Sequence, residues 1–246
     1  MIAVRWGMLV AATLLILAVF GALAPDLQPS ALRVAVTAVV GLLAPFFWPG
    51  RAATPTRTAL RIAAWSAAAA CVAAIALGIG INPGQPFPRI LAACTMLMLI
   101  LLVTHAVAAG IEEICRQSGD AGSAREMAGR TAAIVLALLG SLPLWLGPAG
   151  ELLAGGHPWV IDAVVGVSPL THLAVASGND LLRNQWFYQH SNLAALQFSY
   201  PDLTELTLYY SAACLVLAVI VPAPWRSRRL IAGATGNFFT TEETKR

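Results

Sequence analysis

Charge is what this chain has least of. Only 11% of its 246 residues are Asp, Glu, Lys or Arg, while 58% are apolar, and the mean hydropathy is +0.74. A soluble domain carries about 25% charged residues. Half that amount cannot cover a water-facing surface, so a soluble globular protein is excluded. Lysine is nearly absent, with Lys245 the single one among fifteen basic residues. Together with the abundance of alanine, this arginine bias is the compositional habit of a GC-rich bacterial genome. Cysteine is sparse as well. The four cysteines, Cys71, Cys94, Cys115 and Cys214, have no CxxC or Cys/His metal spacing. Three of them fall inside apolar runs, where cysteine serves as a small packing residue.

Catalytic signatures are missing too. There is no HExxH, no GxSxG, no P-loop and no GxGxxG followed by an acidic residue. An enzyme is not expected, and no catalytic, metal or cofactor-binding residue is assigned. Ionisable residues inside a membrane are costly and therefore mark function, yet His105 is the only one well inside an apolar run. Its expected role is a hydrogen bond between helices. Haem between two helices needs a pair of axial ligands, and His157, His172 and His190 all lie outside the long runs. A proton or sodium pump lacks its carboxylates. The formal charge of +3 is unremarkable, and no nucleic-acid partner is expected.

What is present is length of apolar sequence. A helix crossing the ~30 Å hydrocarbon core needs about 20 apolar residues. Six runs approach this, at residues 8–24, 31–48, 62–81, 90–111, 131–146 and 203–221. They are continuous, without the period-two alternation of a membrane β-barrel. The expected fold is therefore all-α, a single polytopic transmembrane domain over residues 1–246 with six spans embedded in the lipid bilayer. Punctuation agrees. Ser30 is placed to cap the second helix, and Thr54-Pro55 supplies an N-cap followed by proline. Ser123-Ala-Arg-Glu126 reads as a capping box for the fifth helix, and Asp202-Leu-Thr-Glu205 as its acidic analogue for the sixth.

Orientation follows from the loop arginines. Arg5, then Arg51, Arg57 and Arg61, then Arg116, Arg125 and Arg130, and finally Arg226, Arg228, Arg229, Lys245 and Arg246 fall on one side of a six-span threading. Only Arg33, Arg89 and Arg183 fall on the other. The positive-inside rule places both termini, and the tail at residues 225–246, in the cytoplasm of a bacterial inner membrane. Arg5, the first run and Ala22-Leu23-Ala24 also mimic a cleavable signal peptide. A retained first span is preferred, because the run reaches transmembrane length.

Residues 147–202 break the pattern. They hold a ten-residue apolar stretch from Pro158 to Val167, then Ser168-Pro169 opening a second short helix, then Gly178-Asn179 as an interruption. Ten apolar residues are too few to span and suit a re-entrant or interfacial helix. Trp159, Trp186 and Tyr188 are candidate interfacial anchors, since amphipathic aromatics settle at headgroup level. This external segment either lies on the membrane as a cap or closes the outer end of a translocation path.

Two expectations concern packing. The third run is rich in alanine, and small residues on several faces permit close approach of neighbours, so it is expected to be central. The fourth, with Met96 to Val103 bulky throughout, is expected to face lipid. At the end of the fourth run stands the carboxylate pair Glu112-Glu113, with Arg116 three and four residues on, the spacing of a solvated ion pair.

Taken as a layout, six spans with cytoplasmic ends and a short helical pair between spans five and six resembles the permease subunit of ABC-2-type transporters. The local echo is Val167-Ser-Pro-Leu170, similar to the proline-containing turn that many such permeases carry before span six. The resemblance implies a homo- or hetero-oligomer partnered by a separate ATPase subunit, with Arg57, Arg61, Glu112, Glu113 and Arg116 as candidate docking residues. Four carboxylates in the second cytoplasmic loop agree with docking, because acidic residues contribute little to orientation. The rival expectation is a non-catalytic structural or assembly subunit of a multi-subunit membrane complex.

The threading is tested by labelling single cysteines introduced into a cysteine-free background. Ser118→Cys and Lys245→Cys should react only from the cytoplasm and Asn184→Cys only from outside. Labelling of Asn184→Cys from the cytoplasmic face alone would reverse the assignment.

Overall fold

The computed structural model describes residues 2–23, 28–80, 87–116, 120–145, 159–182 and 200–220. Among the described residues all regular structure is helical. The elements are α1 (Ile2–Leu23), α2 (Pro29–Leu43) continued by a 3₁₀ turn (Ala44–Phe47), α3 (Pro55–Gly80), α4 (Phe87–Cys115), α5 (Ala121–Gly140), α6 (Trp159–Val167), α7 (Pro169–Ser177) and α8 (Leu203–Ile220). Each of the six apolar runs thus lies largely within a helix. Three stretches, Pro29–Phe47, Pro55–Gly78 and Phe87–Cys115, are long and apolar enough to cross a membrane. The bent pair α6–α7 would make a fourth if taken as one span. The apolar parts of α1 (Val4–Ile16) and α8 (Leu203–Leu217) are shorter, and α5 opens with Arg125, Glu126 and Arg130, which dilute its first turns.

Helix starts follow local chemistry, with three corrections. Thr54 accepts from Arg57 N at 3.3 Å ahead of Pro55, and Glu205 reaches back to Asp202 N at 3.0 Å, both as expected. Ser30 does not cap α2. Gln28 is the N-cap residue and makes no side-chain cap bond, while Ser30 instead accepts from Asn179 Nδ2 at 3.0 Å. The capping box at Ser123 is also displaced, since Asp120 is the N-cap of α5 and accepts from Gly122 N and Ser123 N at 2.8 and 3.3 Å. A carboxylate three residues upstream offers the better acceptor for the free N–H groups of the first turn. Ser168, ahead of Pro169, makes no side-chain cap bond to α7 either.

The central helix is α4, not α3, although α3 is packed closely against it. Helix α4 packs against α2, α3, α5, α7 and α8. Its buried residues run as a stripe at helical spacing, Ala93, Met96-Leu97, Ile100-Leu101, Thr104-His105, Ala108-Ala109 and Glu112-Glu113. The alanines of α3 decide this geometry from the other side. Ala69, Ala73 and Ala76 share a core cluster with Leu97, Ile100 and Leu101, so small residues receive large ones. Bulk on α4 fills space between helices, and composition alone does not distinguish that use from lipid contact.

The two charged ends separate as the loop arginines require. Arg5 donates to the Trp48 carbonyl and Arg51 pairs with Glu113, gathering the 48–51 turn and the end of α4 at what we call the near end. Arg33 bonds the Ser177 carbonyl, and Arg89 lies against Gly178, at the far end.

Helix α5 meets the 3₁₀ turn at a contact that only glycine permits. A Cβ at Gly129 would lie 2.5 Å from the Pro45 carbonyl oxygen, which is backbone and cannot swing away. Gly129→Ala should therefore destabilise the chain by about 1–3 kcal/mol through overpacking. Gly78, where a Cβ meets nothing within 4 Å, is the control, and Gly78→Ala should be neutral or mildly stabilising. Reversible unfolding in mixed micelles measures both, and equal midpoints would refute the close contact.

Candidate functional site

Two places concentrate polar chemistry against the apolar background. The first is the near end. After α2, Pro45 and Pro49 bring the helix to a close, and Gly50, at φ 83°, turns the chain in a conformation that glycine adopts freely. The turn lays Trp48 and Arg51 over the last turn of α4. Trp48 is 1% exposed, Glu112 3% and Glu113 5%. The Glu112 carboxylate accepts from Trp48 Nε1 at 3.0 Å and from Arg51 N at 2.9 Å. Glu113 forms its ion pair with Arg51, both side chains being buried. Arg61 donates to the carbonyls of Gly50 and Arg51 at 2.9 and 3.1 Å, holding the turn from α3. Buried carboxylates demand this density of donors, because an unpaired one would be neutralised or expelled.

This corrects the expectation of a solvated pair with Arg116. That residue is exposed, and Glu112 and Glu113 face the 48–51 turn instead. The exposed i,i+4 pair of this end is Arg130–Glu126, at 3.4 Å, of a kind that contributes little. Of the five docking candidates, Arg57 and Arg116 are exposed, Arg61 is half-buried, and the two glutamates are enclosed. The partners Trp48 and Arg51 were missed as site residues. They stand 64 and 62 positions away from the carboxylates they serve, and no local spacing announces them. Deeper by two turns, His105 Nδ1 meets Ser66 Oγ at 2.9 Å and its ring stacks on Trp48. The expected bond between helices is there, joining α4 to α3.

The second place is the bent helix pair α6–α7. Helices α6 and α7 are bent by 75° at Ser168. Such a break orphans the last carbonyls of α6, and in apolar surroundings each must find a donor. Thr171 Oγ1 donates to the Val165 carbonyl at 2.6 Å, and His172 Nε2 to the Gly166 carbonyl at 3.0 Å. Because a carbonyl only accepts, Nε2 carries the proton in the neutral ring, and Nδ1 accepts from Tyr210 OH of α8 at 2.8 Å. Ser168 Oγ donates to the Gly140 carbonyl at the end of α5, at 3.1 Å. The turn is thus tied to α5 and α8 by side chains of α7 and its cap.

Helix α7 is not a cap lying on the bundle. Its residues Thr171 to Ala174 are buried, and it packs against α2, α4, α5 and α8. Against it opens an apolar cleft of about 330 Å³, walled by Gly41, Leu97, Leu136, Gly140, Leu170 and Leu173. Among the described residues no titratable side chain lines it. Of the proposed anchors, Trp159 opens α6 and is 66% exposed, whereas Trp186 and Tyr188 lie outside the described residues. Among the described residues no three His, Cys, Asp or Glu side chains gather as a metal site. No protein-family profile, curated protein or solved structure matches the chain.

The near-end cluster should behave as a buried network. Glu112→Ala, which strips the acceptor from Trp48 Nε1 and Arg51 N, should lower stability by about 1–3 kcal/mol. Arg51→Ala should lose about 3–5 kcal/mol by removing the cation paired with buried Glu113. Unfolding midpoints in micelles measure both, and values within error of the parent would mean that the carboxylates are solvated after all.

Proposed function

We propose that this chain is the membrane permease subunit of an ATP-driven transporter of the ABC-2 type, set in a bacterial inner membrane. In this reading it crosses six times, with α1, α5 and α8 joining the three longer spans, and both termini lie in the cytoplasm with the near end. The carrying observation is the bent pair α6–α7 between the fifth and sixth apolar runs, its second helix buried within the bundle. Non-helical backbone at membrane depth is tolerated only where protein or a cavity surrounds it. A helix inserted from one end, with its tip beside an apolar cleft, is suited to closing that end of a path. The cleft walls favour an apolar or amphipathic cargo over an ion.

The chain has no P-loop, so nucleotide hydrolysis belongs to a partner. Arg57 and Arg116, exposed at the near end, are the handles such a partner would meet, and charges there steer and register it. Beneath them the turn at residues 48–51 is joined to α4 by the Trp48–Glu112 and Arg51–Glu113 contacts. Helix α4 in turn packs on α7. A push on the turn would therefore travel along one rigid helix to the re-entrant element. A second reading, a structural or assembly subunit, draws on the exposed apolar face of α8, where Leu208, Leu215 and Val216 would suit another subunit as well as lipid.

Affinity purification from the native membrane tests the choice. The parent chain should recover a nucleotide-binding protein, and Arg57→Glu with Arg116→Glu should reduce that recovery at least about tenfold while membrane insertion is unchanged. Recovery of membrane partners without any nucleotide-binding protein would favour the structural subunit.

A further inference from the structure

At the far end two arginines stand near one another, and the described carboxylate of that end, Asp180, accepts from Tyr200 OH at 2.7 Å. Arg33, near the start of α2, is only 6% exposed. Its Nε and Nη2 donate to the Ser177 carbonyl at 3.1 and 2.7 Å, which caps the C-terminus of α7, where the helix dipole favours a cation. That role leaves its Nη1 buried and without a hydrogen-bond partner, and the hydroxyl of the same Ser177 is buried and equally unpartnered. Arg89, near the start of α4 and exposed, lies close enough for its charge to bear on Arg33. Its guanidinium lies across Gly178, where a Cβ would stand 3.3 Å from Arg89 Cζ and Nε. Gly178 has φ 67°, so the left-handed conformation and the missing side chain together open the place that Arg89 takes. Among the described residues neither arginine forms an ion pair.

Capping of α7 explains two of these bonds and nothing more. Among the described residues, two neighbouring cations, an unused buried N–H and an unused buried hydroxyl are richer in donors than in acceptors, and each unmet group is unfavourable. A tetrahedral oxyanion supplies acceptors for all of them, and guanidinium groups match its geometry. Arg89 sits in the opening turn of α4 and Arg33 one turn into α2, near the level at which headgroups lie. Pro88, the neighbour of Arg89, opens an apolar groove of about 270 Å³ between α4 and α8, with Leu91, Leu99 and Leu203 on its walls.

We propose that Arg33, Arg89 and Ser177 form a phosphate-binding site at the far end of the bundle, with the groove between α4 and α8 taking an acyl chain when the phosphate belongs to a lipid. The site is independent of the docking surface and of the transport reading, and its test uses no ATPase.

Purified full-length chain is passed through mixed micelles of dioleoylphosphatidylglycerol and a phosphate-free dioleoyl glycolipid, and the retained lipid is counted by native mass spectrometry. Unfolding midpoints are measured in parallel with and without millimolar inorganic phosphate. The parent should retain phosphatidylglycerol on the order of tenfold over the glycolipid, and Arg89→Gln should abolish the preference. Arg89 is exposed, so this variant should keep the parent's midpoint in the absence of phosphate. Ser177→Ala should weaken retention less. A midpoint raised by inorganic phosphate in the parent but not in Arg89→Gln, without lipid discrimination, supports the site with a soluble phosphate as its ligand. Equal retention of both lipids with no response to phosphate, or a preference that survives in Arg89→Gln, overturns it.

Discussion

Inside apolar surroundings every backbone carbonyl needs a donor, and this chain meets that demand at the bend between α6 and α7 with side chains. The bend between α6 and α7 exposes the carbonyls of Val165 and Gly166, and Thr171 and His172 answer them from the first turn of the next helix. Without those bonds the break would be too unfavourable to bury. Because it is buried, α7 can stand among α2, α4, α5 and α8, and the apolar cleft exists at its side. His172 then passes the constraint on to Tyr210 of α8, and Ser168 passes it to the end of α5. Position of the bend and position of the surrounding helices are therefore one problem with one solution.

The near end solves a related problem with charge. Two carboxylates at the close of α4 lie enclosed rather than hydrated, and the Trp48–Arg51 turn exists to meet them. Removing either side leaves the other exposed to the full desolvation penalty, which is why such networks break as units. The consequence for function is stiffness. A loop that would otherwise be a connector becomes a bracket on the central helix, with Arg57 exposed at the start of α3 and Arg116 exposed just past the end of α4. At the far end, among the described residues, Arg33 Nη1 and Ser177 Oγ are buried without a hydrogen-bond partner.

Much of this was legible in sequence. Low charge excluded a soluble domain, and continuous apolar runs announced helices at 8–24, 31–48, 62–81, 90–111, 131–146 and 203–221, each of which lies largely within a helix of the structure. The interruption at Gly178 and the proline start at Pro169 were equally plain, since both are local backbone chemistry. The division of arginines between two ends also survives, with Arg5 and Arg51 gathered at one and Arg33 and Arg89 at the other. What the sequence could not carry is the partner of each polar group. Glu112 and Glu113 have Arg116 at helical spacing, yet they turn to residues more than sixty positions earlier. Spacing along one helix says which side chains share a face, and says nothing of which neighbouring helix covers that face.

The same limit explains why α4 and not α3 is central. By itself the sequence determined the helices, their apolar character and the sorting of their charged ends, because propensity, hydropathy and loop charge act within a span or at its border. Only the tertiary structure decided that α4 is central, that α7 lies within the bundle, and that the glutamates are enclosed. Those outcomes depend on which surfaces fit. The alanines of α3 make room for Leu97, Ile100 and Leu101 of α4, and Gly129 makes room for the Pro45 carbonyl. In a medium as apolar as the side chains themselves, hydrophobicity does not choose between neighbours. Close packing and the satisfaction of a few buried polar atoms do, and both are properties of pairs of surfaces that no single stretch of chain contains.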